Sequence, residues 1–404
     1  MRILFISTTF PDADHPARGT YNAALCQALA ETDEVRVISP RMFTEVLTRR
    51  KAFGVPAAIK AVGISVEYPT YWYTPKIWQH YYGDQMWWSV RKCVARALNE
   101  FQPDAVLSYF AHPDGQVGMQ AAHIAGIPSA VIVGGTDVLV LPNDPARGPV
   151  VRRVLAGTTR IMTVSEGLRT KCLELGCAPT QVQTIYQGID PDVFYPGNRP
   201  AMRQKLGLDP THEVLIWVGR MVPIKGLDLL IDAFAQVHAD RPQVRLYLLG
   251  DGPSKADVEY EANRRGLSEV IRCVGAVGHD RLADWYRAAD LCVLSSLSEG
   301  LPNVLREALA CGTPFVSTNV GSLREIASPE YSQLVDSRDP AEFAAAICTA
   351  LQPEMRSAAA AYRPRTWRDC ACEVRQLFAA CVETRNNSIS REAVRSTQQR
   401  VGSV

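Results

Sequence analysis

The feature that most constrains this chain is a change of hydrophobic period that runs along it twice. Short apolar runs at Ile3–Ile6, Val35–Ile38, Ala105–Tyr109, Ala130–Val133 and Ile161–Val164 alternate with stretches of helical period such as Tyr21–Ala30 and Gly115–Ala125. Unbroken apolar runs of this length suit parallel strands buried on both faces. After the turn-rich segment 187–198 the alternation restarts: Val214–Val218, Leu227–Val237, Val244–Leu249, Lys255–Arg265, Ile271–Val274, Asp280–Ala288, Leu291–Leu294, Asn303–Ala310 and Phe315–Ser317. The restart predicts an α/β chain with two doubly wound parallel sheets and a boundary in the 190s. Crossovers of this kind are right-handed and place ligands at the carboxyl ends of the strands, so the cleft between two such domains is the expected site.

A length of 404 residues allows two to three domains at ~150 residues each. The 43 basic residues nearly cancel the 42 acidic ones, which excludes a general nucleic-acid binder. The 11 cysteines form no C-x-x-C pair, which favours a reduced, cytoplasmic compartment. The apolar N-terminal run is too short for a signal peptide, and no other run approaches the ~20 residues that span a bilayer. The expectation is a cytoplasmic protein that at most lies on the inner face of a membrane.

Three loops follow strands in the second half. Trp217-Val-Gly-Arg-Met-Val-Pro-Ile-Lys-Gly holds Gly219, Arg220 and Lys225. A guanidinium fork and a compact ammonium suit a diphosphate, although taken alone they read rather as two solvated surface cations. Gly250-Asp-Gly-Pro253 lacks the third glycine of a dinucleotide fingerprint and reads as a strand-to-helix turn. The third loop, Glu299-Gly300-Leu301-Pro302-Asn303-Val304, opens a helix that Gly312 and Pro314 end. Its first amides form a ready anion site, and Glu307 lies one turn in, placed to accept hydrogen bonds from two ribose hydroxyls.

With these residues in view, the chain resembles the retaining glycosyltransferases of the GT-B fold, glycosyltransferase family four. The matching motifs are Gly219-Arg220…Lys225-Gly226, Gly250-Asp-Gly-Pro253, and Glu299-Gly-Leu-Pro302…Glu307-Ala-Leu-Ala-Cys-Gly-Thr-Pro314. Gly321–Glu325, Val164-Ser-Glu-Gly and Gly188-Ile-Asp190 continue the match. The resemblance implies two Rossmann-like domains, 1–193 on the acceptor side and 194–363 on the donor side. It also implies a last helix, 364–384, that returns to the first domain; the polar segment 385–404 is expected to be disordered.

By the same resemblance Arg220 and Lys225 hold the donor diphosphate, Glu307 the ribose, and Glu299 a sugar hydroxyl. Gly300, Leu301, Pro302, Asn303 and Val304 border sugar or phosphate, and Gly275 meets the base. In the first domain Gly19 approaches the diphosphate, His112 the reacting sugar, and Asp137 the donor or acceptor. The sequence departs from the family pattern at Gln187, where asparagine is usual, and at Arg18, where glycine is usual.

The implied reaction retains anomeric configuration, with fixed cations and a helix terminus stabilising the leaving group. It needs no metal and no cofactor beyond the nucleotide-sugar co-substrate. Asp12-Ala-Asp14 and Asp190-Pro-Asp192 are formal D-x-D strings in turn-like sequence, where aspartate is expected anyway. The acceptor is expected to be a glycan, a lipid-linked oligosaccharide or a small metabolite. Segment 68–88 holds nine aromatics, from Tyr68 to Trp88, after the basic Arg49, Arg50, Lys51 and Lys60. It reads either as core packing from an acceptor-side helix or as a surface for anionic lipid. Rival readings are an epimerase of the same fold, a non-catalytic glycan binder, and an NAD-dependent oxidoreductase, the last disfavoured by the missing glycine.

Overall fold

A computed structural model describes residues 1–48 and 53–401, including side chains except at 279–280 and 386–401. The basic run Arg49–Lys51 lies outside the described residues. The chain divides into two compact units, Met1–Gly188 with Trp367–Val404, and Ile189–Thr366.

The first unit contains strands β1 (Arg2–Ile6), β2 (Glu34–Ile38), β3 (Arg41–Met42), β4 (Ser65–Glu67), β5 (Thr70–Tyr71), β6 (Ala105–Tyr109), β7 (Ser129–Val133), β8 (Arg160–Thr163) and β9 (Val182–Thr184). Seven of them form one parallel sheet in the order β4-β2-β1-β6-β7-β8-β9, and β3 pairs with β5 apart from it. Both faces of β1 are buried. Ile3 and Phe5 pack with Leu25, Leu29 and Phe378, while Leu4 and Ile6 pack with Met86, Val90 and Val117. This two-sided burial explains the unbroken apolar run, since each fully buried side chain of this size contributes ~1.5–3 kcal/mol.

The second unit contains β10 (Glu213–Val218), β11 (Val244–Leu249), β12 (Ile271–Gly275), β13 (Leu291–Leu294), β14 (Phe315–Thr318) and β15 (Ser332–Val335). They form a parallel sheet in the order β12-β11-β10-β13-β14-β15, and the order reverses direction at β10 and β13. Trp217, Phe234, Tyr286, Phe315 and Phe343 fill its core. Strand β15 was not expected from the sequence, because Ser332-Gln-Leu-Val335 is only half apolar and sits at a sheet edge.

The last helix starts at Trp367 rather than Pro364, and Cys370, Val374, Leu377 and Phe378 bury it in the first unit's core. It continues to Val401, through the segment whose composition suggests disorder. Once a helix is nucleated by packing, each further residue adds a hydrogen bond at little extra cost, which composition alone does not reveal.

Candidate functional site

In the second unit the loops leaving β10, β11 and β12 are laced together through their backbones. The Gly219 amide donates to the Leu249 carbonyl (3.0 Å), Met221 to Asp251 (2.9 Å), and Gly250 to Gly275 (2.8 Å). Gly250 has φ 146°, and a Cβ there would lie 1.8 Å from the Gly219 carbonyl oxygen. The Gly-Asp-Gly-Pro motif thus lets two loops touch, which fits a strand-to-helix turn.

Lys225 ends a short 3-10 turn, Pro223–Lys225, fastened to the loop after β13. There the Leu297 amide donates to Ile224 (2.8 Å) and the Ser295 hydroxyl to the Lys225 carbonyl (3.1 Å). The Lys225 ammonium lies 2.6 Å from Glu299 Oε1, and the same oxygen accepts the Ser296 hydroxyl at 2.6 Å. Gly321, at φ 61°, brings the loop after β14 against this group, because a Cβ there would sit 2.0 Å from the Glu299 carbonyl oxygen. The Ser322 amide completes the contact by donating to Gly300 (3.0 Å). Arg220 is exposed, and no described residue pairs with it.

The helix Asn303–Ala310 begins at Pro302 without a side-chain cap. Its opening residues Gly300, Leu301, Asn303 and Val304 are half-buried, and Pro302 is buried. The positive dipole end of a helix at its first turn suits an anion. Glu307 is buried within the helix and accepts a hydrogen bond of 3.0 Å from the Tyr286 hydroxyl. Burial, reinforced by the Glu307 charge, pushes the Tyr286 phenol well above its ordinary value and keeps it a donor. Tyr286 and Ser296 were not singled out from the sequence: Glu307 lies 21 positions from Tyr286, and only the turn of the loop directs the Ser296 hydroxyl onto Glu299, three positions on.

The first unit holds the other three expected residues. Gly19 has φ 62°, and a Cβ would meet the Thr9 carbonyl oxygen at 2.3 Å. Its turn packs on the loop after β1, where Asn22 also donates to Thr9 (2.7 Å). His112 is buried, and its Nε2 lies 3.1 Å from the Gln79 carbonyl. A carbonyl only accepts, so Nε2 carries the proton; burial, more than any other influence, lowers the imidazole pKa and favours this neutral form. The Asp137 carboxylate is buried and accepts the amides of Ala111 (3.1 Å), Gly134 (3.2 Å) and Gly135 (3.0 Å). In this arrangement it clamps the turn after β6 to the turn after β7.

Asp114, which the sequence did not flag, accepts the Thr8 amide (2.5 Å) and hydroxyl (3.1 Å). Burial raises its pKa to about 7, and raises Asp137 to about 6, against these hydrogen bonds. Of the formal D-x-D strings, Asp12 is buried 3.4 Å from Arg41, and Asp190 accepts the Asp192 amide at 2.9 Å. Asp12, His15 and Glu45 lie close enough to share an ion, but Arg18 and Arg41 already bring positive charge to the same carboxylates.

The aromatic segment divides between core and surface. Tyr71 is buried and Tyr68 covers the Arg41 guanidinium, while Trp72, Trp78 and Trp88 are each about 60% exposed. Ile77 and Tyr81 are exposed with them, and Arg91 lies over the Trp88 ring at 3.9 Å. No described helix is long and apolar enough to cross a membrane.

Two family models match the chain: Glycosyltransferase Family 4 over residues 19–193, and Glycosyl transferases group 1 over residues 212–353. Among curated relatives, D-inositol 3-phosphate glycosyltransferase 2 of Catenulispora acidiphila is 36% identical over 60% of this chain and 62% of its own length. The D-inositol 3-phosphate glycosyltransferase of Frankia alni is 34% identical over 61% and 66%. The chain therefore spans a little under two thirds of the curated relatives it matches. Among solved structures, the Anabaena protein HepE, determined with UDP, superimposes with a TM-score of 0.68 at 22% identity, covering 98% of this chain and 100% of that one. Sucrose-phosphate synthase from Thermosynechococcus elongatus gives 0.74 at 22% identity, over 94% and 99%. These two likenesses establish the GT-B fold.

Proposed function

Because the chain belongs to the family 4, group 1 glycosyltransferases, we propose that it moves a sugar from a nucleotide-diphosphate sugar to an acceptor hydroxyl with retention of configuration. The observation that carries this reading is the set Arg220, Lys225, Glu299 and Ser296 at the carboxyl end of a parallel sheet that also bears the uncapped helix Asn303–Ala310. In the proposal Arg220 and Lys225 take the diphosphate of a UDP- or GDP-sugar, and the first-turn amides take phosphate or sugar oxygens. Glu307 accepts the ribose hydroxyls while Tyr286 fixes its second oxygen. Glu299, oriented by Ser296, holds a sugar hydroxyl and keeps Lys225 in place.

As the sugar–phosphate bond breaks, negative charge grows on the leaving diphosphate. Cations and amides already fixed there stabilise it with little reorganisation, so the proposed reaction needs no metal. Retention follows if the acceptor attacks on the departing face and a donor phosphate oxygen takes its proton. In this reading His112 meets the reacting sugar, Asp137 the donor or acceptor, and Gly19 approaches the diphosphate.

The acceptor we favour is a glycan or lipid-linked saccharide of cell-surface polysaccharide or glycolipid synthesis, reached by a protein resting on the inner membrane face. The exposed Trp72, Trp78 and Trp88 beside Lys76, Arg91 and Lys92 support it, since interfacial tryptophans with neighbouring cations suit anionic lipid. A second acceptor, D-inositol 3-phosphate, is favoured by the names of the curated relatives. Incubation with UDP-, GDP- and ADP-sugars, each with and without D-inositol 3-phosphate or a lipid-linked saccharide, tests all parts of the proposal. Donor hydrolysis with none of the sugars and transfer to neither acceptor would reject it.

A further inference from the structure

Away from the loops assigned to donor or acceptor, the helix Glu166–Glu174 ends in a paired cap. The Cys177 amide donates to the Cys172 carbonyl (3.1 Å) and the Gly176 amide to Leu173 (2.9 Å), with Gly176 at φ 91°. This is the Schellman arrangement, in which the side chains of the residues joined by the outer bond meet. Here both are cysteines. Cys172 is fully buried and Cys177 is half-buried at the edge of the first unit's core, so Cys177 is the more accessible of the two. We infer that Cys172 and Cys177 form a reversible thiol switch, in which Cys177 is the attacking thiol and Cys172 the resolving one.

The electrostatics agree with that division of roles. A hydrogen bond from Cys172 draws the Cys177 thiol below its ordinary value, and the same bond, with burial, pushes Cys172 far up. The other half-buried thiols differ, since burial raises Cys93 and Cys273 to about 11 and raises Cys348 as well. The thiolate is the nucleophile, so Cys177 is the most activated of these.

The reaction partner is a low-molecular-weight disulfide. The Cys177 thiolate attacks one of its sulfurs, forming a mixed disulfide and releasing one thiolate. That thiolate takes the Cys172 proton. The Cys172 sulfur then attacks Cys177, forming the internal disulfide and expelling the second thiolate. Two electrons pass from the cysteine pair to the external disulfide. The closed bond fastens the end of a helix that packs on the Thr136–Leu139 segment carrying Asp137, so oxidation reaches the first unit's polar cluster through this contact.

The test is peptide mapping of the full chain after exposure to glutathione disulfide at neutral pH. The peptide containing both cysteines is expected to lose two hydrogens, and to regain them with a reducing thiol. Cys172→Ser should trap one glutathione on Cys177, while Cys177→Ser should leave Cys172 unmodified. Stable glutathione on Cys177 of the wild-type chain, or modification of exposed Cys372 with none at Cys177, would overturn the inference. The wild-type map decides the matter even if a variant folds poorly.

Discussion

Lys225 and Glu299 are 74 positions apart in sequence, yet the ammonium and carboxylate meet at 2.6 Å. The two side chains are 23% and 10% exposed, so bulk water screens the pair only in part. The Lys225 charge is thus already balanced by Glu299, and the Ser296 hydroxyl gives the same carboxylate oxygen a second partner.

Replacing Lys225 by alanine is expected to lower turnover about a hundredfold or more, the scale of a lost charge stabiliser at a developing anion. Steady-state kinetics on the preferred donor measures this. Wild-type turnover in the variant would remove Lys225 from the mechanism.

Tyr286→Phe deletes one buried donor to Glu307 and should cost about 1–3 kcal/mol, since the carboxylate loses a partner it cannot replace from water. Urea unfolding reads the stability loss, and donor titration should show weaker nucleotide binding. Unchanged affinity would separate Glu307 from the ribose.

Two glycine variants separate local strain from collision. Gly266→Ala meets no atom within 4 Å and has only its φ of 72° to contend with, about 1–2 kcal/mol. Gly250→Ala would drive a methyl into the Gly219 carbonyl, so its loss should reach or exceed the ~1–3 kcal/mol of an overpacked site, with nucleotide binding impaired as well. Equal unfolding midpoints for the two proteins would contradict the loop lacing.

Asp114 predicts a pH dependence of definite sign. Its folded pKa, about 7, stands above the ordinary 3.8, so the folded chain keeps a proton that the unfolded chain releases. The resulting stability is complete below pH 3.8 and is lost as pH rises toward 7. Asp114→Asn should flatten this part of the curve, leaving the smaller slope that belongs to Asp137. Parallel urea midpoints for wild type and variant across that range would refute it.

Trp78→Ala and Trp88→Ala remove side chains that are 62% and 63% exposed, so folding stability should change little. Co-sedimentation with vesicles rich in anionic lipid should fall for both, while neutral vesicles bind neither wild type nor variant. Undiminished binding would move membrane contact elsewhere on the chain.

The alternation of apolar runs determined the two parallel sheets, because a strand buried on both faces must be apolar at every position and a covering helix must not. The motif residues determined which turns can adopt left-handed backbone, as at Gly19, Gly250 and Gly321, since that requirement is local. What the sequence left open depends on contacts between distant segments. It offered Tyr68, Tyr71, Trp78 and Trp88 as one aromatic cluster, and packing against the sheet decided that Tyr71 lies in the core while Trp78 and Trp88 face solvent. It presented Asp137 as a ligand candidate, and the convergence of two turns made it an acceptor of three backbone amides. Tyr286 beside Glu307 exists only in the tertiary structure, where the packing of two helices brings residues 21 positions apart within hydrogen-bonding distance, whereas Ser296 reaches Glu299 through the turn of a single loop.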